Sequence, residues 1–431
     1  MILRVAESLS RALVILVAFA IAGPLSYYSM RMAVAAHAAE QETESGLKEA
    51  IKLEPYNPEY SYRMGHFQQF NLEESNASRA ELDFRTAITL NPKYTEAWLD
   101  LGTTYEWEGN TKAAREAFLQ AKSSYPSSAE VAWRYGNFLL REGNLPKAYA
   151  ELQLAVRLDP HRAAIAFSRC YRANPDIDAI LKEALPADPA VYVEVLDEAA
   201  RSKQLSVAQT VWERLLVMHP RLKFQDFDPF VSELLAAGRA TDARRVWGEG
   251  VAMMTLPDLE QAKDSVVWDP SFETGAGGYY FGWRYQPLTP GLQISLDSSE
   301  KRSGSQSLRL TFDGKHNQNL EPACTMVNVV ANTAYHFSGW IRTQDLTTNS
   351  GIGFRIYSIG DPSSPINQTS EIHGTFPWTN VAMPWTSGPQ VHQARICILR
   401  EPSDTPNMNI SGSAWVDDVN LVPQSAEPRK P

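Results

Sequence analysis

Cysteine is scarce in this chain: three residues in 431, with no CxxC pair and no Cys/His cluster. A zinc or dithiol redox site is not what organises it. The eight histidines (His37, His66, His161, His219, His316, His336, His373 and His392) form no HxH or HExxH, and P-loop, GxSxG and GxGxxG patterns are absent. The glycine-rich stretch "GAGGYYFGW" (275–283) lacks the strand-to-helix setting of a phosphate loop. Asp417 and Asp418 are adjacent, and neighbours on a strand point to opposite faces, so they make no glycosidase pair. These absences lead us to expect no enzyme. Excess positive charge is also lacking. Forty Lys and Arg stand against fifty Asp and Glu, a net charge of -10, and no basic stripe reverses it. A general nucleic-acid binder is excluded on that ground.

Long apolar runs are equally few, but one is present. "ALVILVAFAIAGPLSYYSM" (12–30) holds no charge and is bracketed by Arg11 and Arg31. Such a run matches the roughly 20 residues that cross a bilayer core. Tyr27 and Tyr28 suit an interfacial belt. The alternative is a cleaved signal peptide with "AHA" (36–38) as its A-x-A site, though that site lies far from the apolar run. The expectation is a single-pass anchor over 1–36. Arg4, Arg11 and the terminal amine bias the N-terminus slightly to the inside.

A repeat follows. "TEAWLDLGTTYEWEGNTKAAREAFLQAKSSYPSS" (95–128) aligns with "AEVAWRYGNFLLREGNLPKAYAELQLAVRLDPHR" (129–162) at an offset of 34: Gly102 with Gly136, Ala114 with Ala148, Ala121 with Ala155, Pro126 with Pro160. A fixed period of this size marks a solenoid. Trp98, Leu101 and Tyr105 recur at helical spacing, "EGN" marks each turn, and the prolines stop each second helix. This resembles the tetratricopeptide repeat family. Trp98, Leu101, Gly102, Tyr105, Ala114, Phe118, Ala121 and Pro126 fill its eight signature positions. Looser units surround these two. An insertion is expected near Glu73–Ser78, and "LKEAIKLEPYNP" (47–58) reads as the second helix of a partial unit. Residues 161–189 read as an irregular helical pair. The solenoid is expected over 40–260. The resemblance implies a protein partner on its concave surface, and the repeat residues themselves read as packing.

Near residue 265 the texture turns to alternation. Candidate strands are 292–297, 307–312, 324–330, 334–342, 352–359, 378–385, 394–400 and 414–422, which suggests an all-β sandwich or jelly roll over 262–423, with a polar tail at 424–431. The phrases "DPSFETG", "GWR", "RSGSQSLRLTF", "AYHFSGWIRT", "GTFPWTNV" and "AWVDDVNLV" resemble a carbohydrate-binding-module jelly roll of the galactose-binding-like kind. The expected fold class is therefore an all-α solenoid, then an all-β sandwich, behind one transmembrane helix.

Within the last strand, strict alternation places Trp415, Asp417, Val419 and Leu421 on one face, with Asp418 on the other unless a bulge exchanges them. A carboxylate on an apolar face needs a cation, a hydrogen-bond network or an arginine. The resemblance implies a structural calcium ion between the first and last strands, with Glu273 and Asp417 as ligands. Capping of loop amides and pairing with arginine stay open.

Alternation also turns Val327, Val329, Phe354, Ile356, Ile396 and Ile398 inward. Asn328, Arg355, Tyr357 and Arg395 then face out, with Gln293 on a neighbouring strand. This set describes either a sugar site or an ordinary polar face. Trp283, Trp340, Trp378 and Trp385 are either a platform or core. Cys324 and Cys397 also face outward and are expected to form a cross-strand disulfide, which would need an oxidising compartment. The expected function is a non-catalytic, membrane-anchored scaffold on the outer side of a bacterial inner membrane. Its repeats would hold a protein and its sandwich would touch a polysaccharide, in glycan assembly or export. Two alternatives stand beside it: a sandwich that binds no sugar, and a membrane-bound glycan-degrading enzyme.

Overall fold

The computed structural model describes residues 8–71, 76–254, 265–274, 280–286, 289–361, 366–406 and 408–424. The expected insertion near Glu73–Ser78 falls partly outside this set, as do "GAGGYYFGW" in part and the tail beyond residue 424. The chain divides into two compact units, Met1–Val191 and Tyr192–Pro431.

The first unit is helical. Its helices are α1 (Ser8–Glu40), α2 (Glu44–Leu53), α3 (Pro58–Phe70), α4 (Ala77–Leu90), α5 (Thr95–Trp107), α6 (Thr111–Ser124), α7 (Ala129–Arg141), α8 (Leu145–Leu158), α9 (Ala163–Ala173) and the turn α10 (Ile177–Ala179), which runs on into a π-helical stretch, Ile180–Ala184. They pair as successive hairpins: α3 on α4, α5 on α6, α7 on α8. Each unit closes for local reasons. Gly109 takes a φ of +76° in the "EGN" turn, which a side chain resists, and the Asn110 carboxamide then caps α6 by accepting from the Ala113 amide. A Cβ on Gly102 would sit 3.1 Å from the Phe118 ring, so glycine lets α5 lie against α6. Phe84, Phe118, Phe138 and the alanines Ala80, Ala114, Ala121 and Ala148 form one buried core through these hairpins.

Helix α1 is long. From Ala12 its side chains are exposed, and Ala12–Glu40 is apolar and long enough to cross a membrane. Its last turns differ. Ala35 and Ala39 are fully buried and pack with Leu47, Ala50, Tyr60 and Met64 of α2 and α3. The apolar stretch and the turns that pack on α2 and α3 therefore belong to one helix, α1.

The second unit contains the later helices α12 (Leu205–Val217), α13 (Asp228–Ala236) and α14 (Ala240–Ala252), with α11 (Pro189–Arg201) beginning at its edge. Ten strands follow: β1 (Arg284–Tyr285), β2 (Leu292–Asp297), β3 (Ser307–Asp313), β4 (Ala323–Asn328), β5 (Ala334–Leu346), β6 (Gly353–Ile359), β7 (Asn367–Gln368), β8 (Gly374–Thr386), β9 (Gln393–Leu399) and β10 (Ser411–Pro423). They form two five-stranded antiparallel sheets. Sheet I has the order β1-β4-β9-β6-β7 and sheet II the order β2-β3-β10-β5-β8. Val327, Val329, Phe354, Ile356, Ile396 and Ile398 of sheet I meet Leu308, Leu310, Phe337, Ile341, Val416 and Leu421 of sheet II in one core.

The sandwich and the last helices share an aromatic cluster. Trp247 of α14 lies edge to face with Trp268, 5.3 Å between centroids, and with Phe281 at 5.4 Å; Phe224 and Phe227 complete the cluster. Two hydrogen bonds cross the same joint. Asn328 donates to the Ala240 carbonyl at 2.9 Å, and the Tyr280 amide donates to Asp228 at 2.9 Å. Burial of aromatic surface on this scale is why α12–α14 pack with the sandwich.

Candidate functional site

The outer face of sheet I holds most of the residues singled out above. Arg355 and Tyr357 lie on β6 opposite Cys397 and Arg395 of β9, and Cys324 of β4 stands directly opposite Cys397. The two sulfurs are joined as a disulfide. Arg355 is nearly buried, and its guanidinium donates to Gln368 (3.2 Å), Glu401 (2.7 Å), the Tyr357 hydroxyl (3.1 Å) and Glu321 (3.4 Å). The Tyr357 hydroxyl donates to Glu321 in turn. Burial, with that carboxylate as acceptor, raises the phenol's pKa above its ordinary value. Arg395 reaches Glu321 at 3.7 Å. The pair Arg355–Tyr357 is thus a closed, self-neutralised network.

Two members of the expected set lie elsewhere. Gln293 is on β2, in sheet II, so it does not share this face. Asn328 is on sheet I but spends its amide on α14. Beside the network, a hollow of about 340 Å³ opens between β1, β4 and β9. Tyr280, Arg284, Glu321, Met326 and Arg395 line it, and the Arg284 guanidinium lies 5.3 Å from the Tyr280 ring centroid. Tyr280 and Arg284 fall outside the eight candidate strands, and for that reason the sequence pattern passes over them. Of the tryptophans, Trp283 and Trp385 are core, while Trp340 lies under the Arg302 guanidinium at 3.9 Å.

The carboxylates of β10 have a different role. The strand bulges between Asp417 and Asn420, and Asp418 takes a φ of +48°. The bulge shifts the parity of the strand. Ala414 and Val416 face the core before it, Val419 and Leu421 after it. Trp415 and Asp417 therefore lie on the face opposite Val419 and Leu421, which corrects the single-face reading. Trp415 is sandwiched between Arg309 and Arg342, and its indole N–H donates to Asp297 at 2.9 Å.

Both aspartates converge on the loop after β2. Asp417 accepts the Arg302 amide at 2.8 Å, the Ser303 amide at 3.2 Å and the Asp418 amide at 2.9 Å. Asp418 accepts from Ser271, Ser303 and the Arg302 guanidinium. Glu273 caps the same loop farther on, through the Ser305 amide at 2.8 Å and the Gln306 amide at 3.3 Å. Asp269, fully buried and not singled out in the sequence, holds the turn before it by accepting from the Glu273 and Thr274 amides. Burial pushes the Asp417 carboxyl up to about 6. These amides satisfy the buried oxygens without a cation. Asp417 and Glu273 address different amides. Among the described residues, the His/Cys/Asp/Glu cluster tight enough for an ion is instead Glu321, Cys324 and Cys397, whose sulfurs are bonded to each other. The donor set fits loop capping rather than a shared calcium site.

The solenoid has its own candidate surface. Across α5 and α7 of the first unit, Arg134 donates to Asp100 at 2.8 Å and to the Thr103 hydroxyl at 2.6 Å. Arg141 pairs with Glu106 through two bonds, at 2.5 and 2.8 Å. Arg169 donates to the Asn137 carboxamide oxygen at 2.5 Å and stacks 4.8 Å from the Trp133 centroid.

Tetratricopeptide-repeat family models match residues 71–132 and 108–163. No curated protein matches the chain. Among solved structures, a family 16 carbohydrate-binding module is similar at 16% identity and a TM-score of 0.27, over 36% of this chain and 99% of that one. The tetratricopeptide repeat protein YrrB, described as having an unusual peptide-binding site, is similar at 13% identity and 0.27, over 49% and 93%. PilW, a type IV pilus biogenesis factor, is similar at 22% and 0.27, over 45% and 92%. The chain carries tetratricopeptide repeats ahead of a two-sheet β-sandwich, and carbohydrate-binding modules stand among that sandwich's structural neighbours.

Proposed function

We propose that this protein is a non-catalytic scaffold, anchored in a bacterial inner membrane by α1, with the bulk of the chain outside. Its repeats hold a protein partner on the concave surface. The observation that carries this reading is the continuity of α1 with the first hairpin. Cleavage at "AHA" (36–38) would cut inside a packed helix. The joint is specific: Arg31 donates to the Leu53 carbonyl at 2.5 Å, Arg63 to the Ala39 carbonyl at 2.9 Å, and a Cβ on Gly46 would fall 2.3 Å from the Ala38 carbonyl oxygen. The Cys324–Cys397 disulfide supports an oxidising compartment for the sandwich. The test is the mass of the full chain recovered from membranes. An intact N-terminus, released by detergent but not by carbonate, is the expected result. A mature chain starting near residue 39 in the soluble fraction would sink the reading.

Glycan contact by the sandwich, in polysaccharide assembly or export, is the finer part of the proposal. We place it at the hollow between Tyr280, Arg284 and Arg395 rather than on the self-neutralised Arg355–Tyr357 pair. A glycan array run with the full chain should lose its signal in Tyr280→Ala and keep it in Tyr357→Phe. An array with no signal would leave the sandwich as a protein-interaction cap.

A further inference from the structure

Helices α5, α7 and α9 of the first unit carry a ladder of arginines, and its carboxylates run out. Asp100 and Arg134 are 34 residues apart and paired, and Glu106 and Arg141 repeat the arrangement at 35. One repeat on, the acids are missing. The positions 34 after Asp100 and Glu106 are Arg134 and Leu140. Among the described residues, Arg169 meets an amide oxygen and an indole face, and Arg172 meets the Ser168 carbonyl of its own helix at 3.4 Å. Among the described residues neither has a carboxylate at salt-bridge distance. Burial, with Arg141 and Arg172 beside it, pulls the Arg169 guanidinium below its ordinary pKa, as expected of a half-buried cation without a counter-charge.

These groups line two hollows, of about 420 and 540 Å³, that share Asn137, Arg141 and Arg169. The first is walled by Trp107 and Trp133, and Trp107 is 60% exposed. The Trp133 ring already carries the Arg162 and Arg169 guanidinium groups, so the groove offers two unneutralised forks beside the exposed Trp107 indole, on a chain whose net charge is -10. Arginine forks match carboxylates in a bidentate geometry.

We propose that this groove binds an extended acidic peptide segment of the partner, with Asp or Glu carboxylates completing the ladder on Arg169 and Arg172 and a neighbouring apolar side chain on Trp107. The proposal deepens the scaffold reading and rests on it. A peptide is favoured over an anionic glycan because the groove continues a ladder whose partners so far are Asp and Glu side chains at the spacing of the repeat.

The test is selection of a random dodecapeptide phage library on the detergent-solubilised full chain. Selected peptides are expected to carry at least two acids beside an aromatic or aliphatic residue. Their affinity should fall about tenfold or more in Arg169→Gln, the size expected for loss of a charge-assisted hydrogen bond, and weaken with salt. Arg169→Lys should recover part of the loss, and Arg157→Gln, away from the groove, should change nothing. Neutral peptides that bind and are lost in Trp133→Ala would overturn the acidic specificity while leaving the scaffold reading intact. Failure to select any peptide would overturn the proposal, while the scaffold reading stands or falls by the mass of the chain recovered from membranes. Binding of trigalacturonate, abolished by Arg169→Gln with no peptide selected, would overturn the proposal in favour of an anionic glycan.

Discussion

On the outer face of sheet I, Arg355 sits among Glu321, Glu401, Gln368 and the Tyr357 hydroxyl. Between α7 and α9 of the first unit, Arg169 sits against an amide oxygen and an indole ring. Both side chains look alike in sequence: an arginine near an aromatic, on a regular element. Their surroundings separate them. A cation whose acceptors are all internal stabilises the fold and has little left for a ligand. A cation whose neighbours are other cations is held in place by packing and has its charge unspent. Counting the acceptors around each arginine is thus a better guide to a binding surface than the arginine itself.

The contrast can be broken at its carboxylates. Glu321→Gln is expected to have the largest effect, because Arg355, Arg395 and Tyr357 all lean on it. A loss of about 2 to 3 kcal/mol is expected, because three groups lose a charged acceptor at once although Glu401 still faces Arg355. Faster hydrogen exchange in β6 and β9 would report it, and unchanged exchange would mean the network is not structural.

Asp417 offers a second case, an acid held by amides instead of by arginine. Asp417→Ala should cost roughly 2 kcal/mol by orphaning the Arg302 and Ser303 amides. Its pH dependence has a definite sign. The folded carboxyl titrates near 6, above its unfolded value, so the native state binds the extra proton. The stability this group contributes is fully present below about pH 4 and is lost as pH rises through 6. Asn mimics the protonated acid, so wild type and Asp417→Asn should run closest at low pH and diverge as pH rises through 6, with wild type losing stability; parallel curves would mean that Asp417 does not titrate in this window.

Arg169→Gln should change the stability of the first unit by no more than about 0.5 kcal/mol, as for a substitution that breaks no ion pair. A loss of several kcal/mol in thermal melting would make Arg169 a structural residue and erase the contrast. Smallest of all, a chelator should leave the melting temperature of the full chain unchanged. A fall on chelation would assign a cation to Asp417 and Glu273 after all.

Much of this architecture is legible along the chain. The 34-residue period yields the α5–α8 hairpins, and alternation yields strands such as 292–297 and 394–400 within a residue of their ends. What stays hidden has physical causes. Alternation assigns a side chain to a face but not a strand to a sheet, so Gln293 reads as a neighbour of Arg355 although β2 belongs to sheet II. The bulge at Asp417–Asn420 is set by the loop amides it serves, and nothing in "DDVN" announces the change of parity. Glu321 and Glu401 lie outside the strands and reach the site only through tertiary packing. The arginine ladder could have been found, by asking which arginines lack an acid 34 or 35 residues earlier.

The unbroken α1 also sets how a partner meets the groove. If the apolar part of the helix is embedded, the turns that pack on α2 and α3 are joined to it by helix, whose ladder lacks the Pro24 N–H, instead of by a loose tether. A flexible linker would let the repeats sample many orientations and dilute the groove over a large volume. A stiff mount confines it to a shell close to the bilayer, so a partner segment that emerges from the same membrane meets it at a raised effective concentration. Affinity measured with both partners in solution would then understate the occupancy of the groove on a membrane.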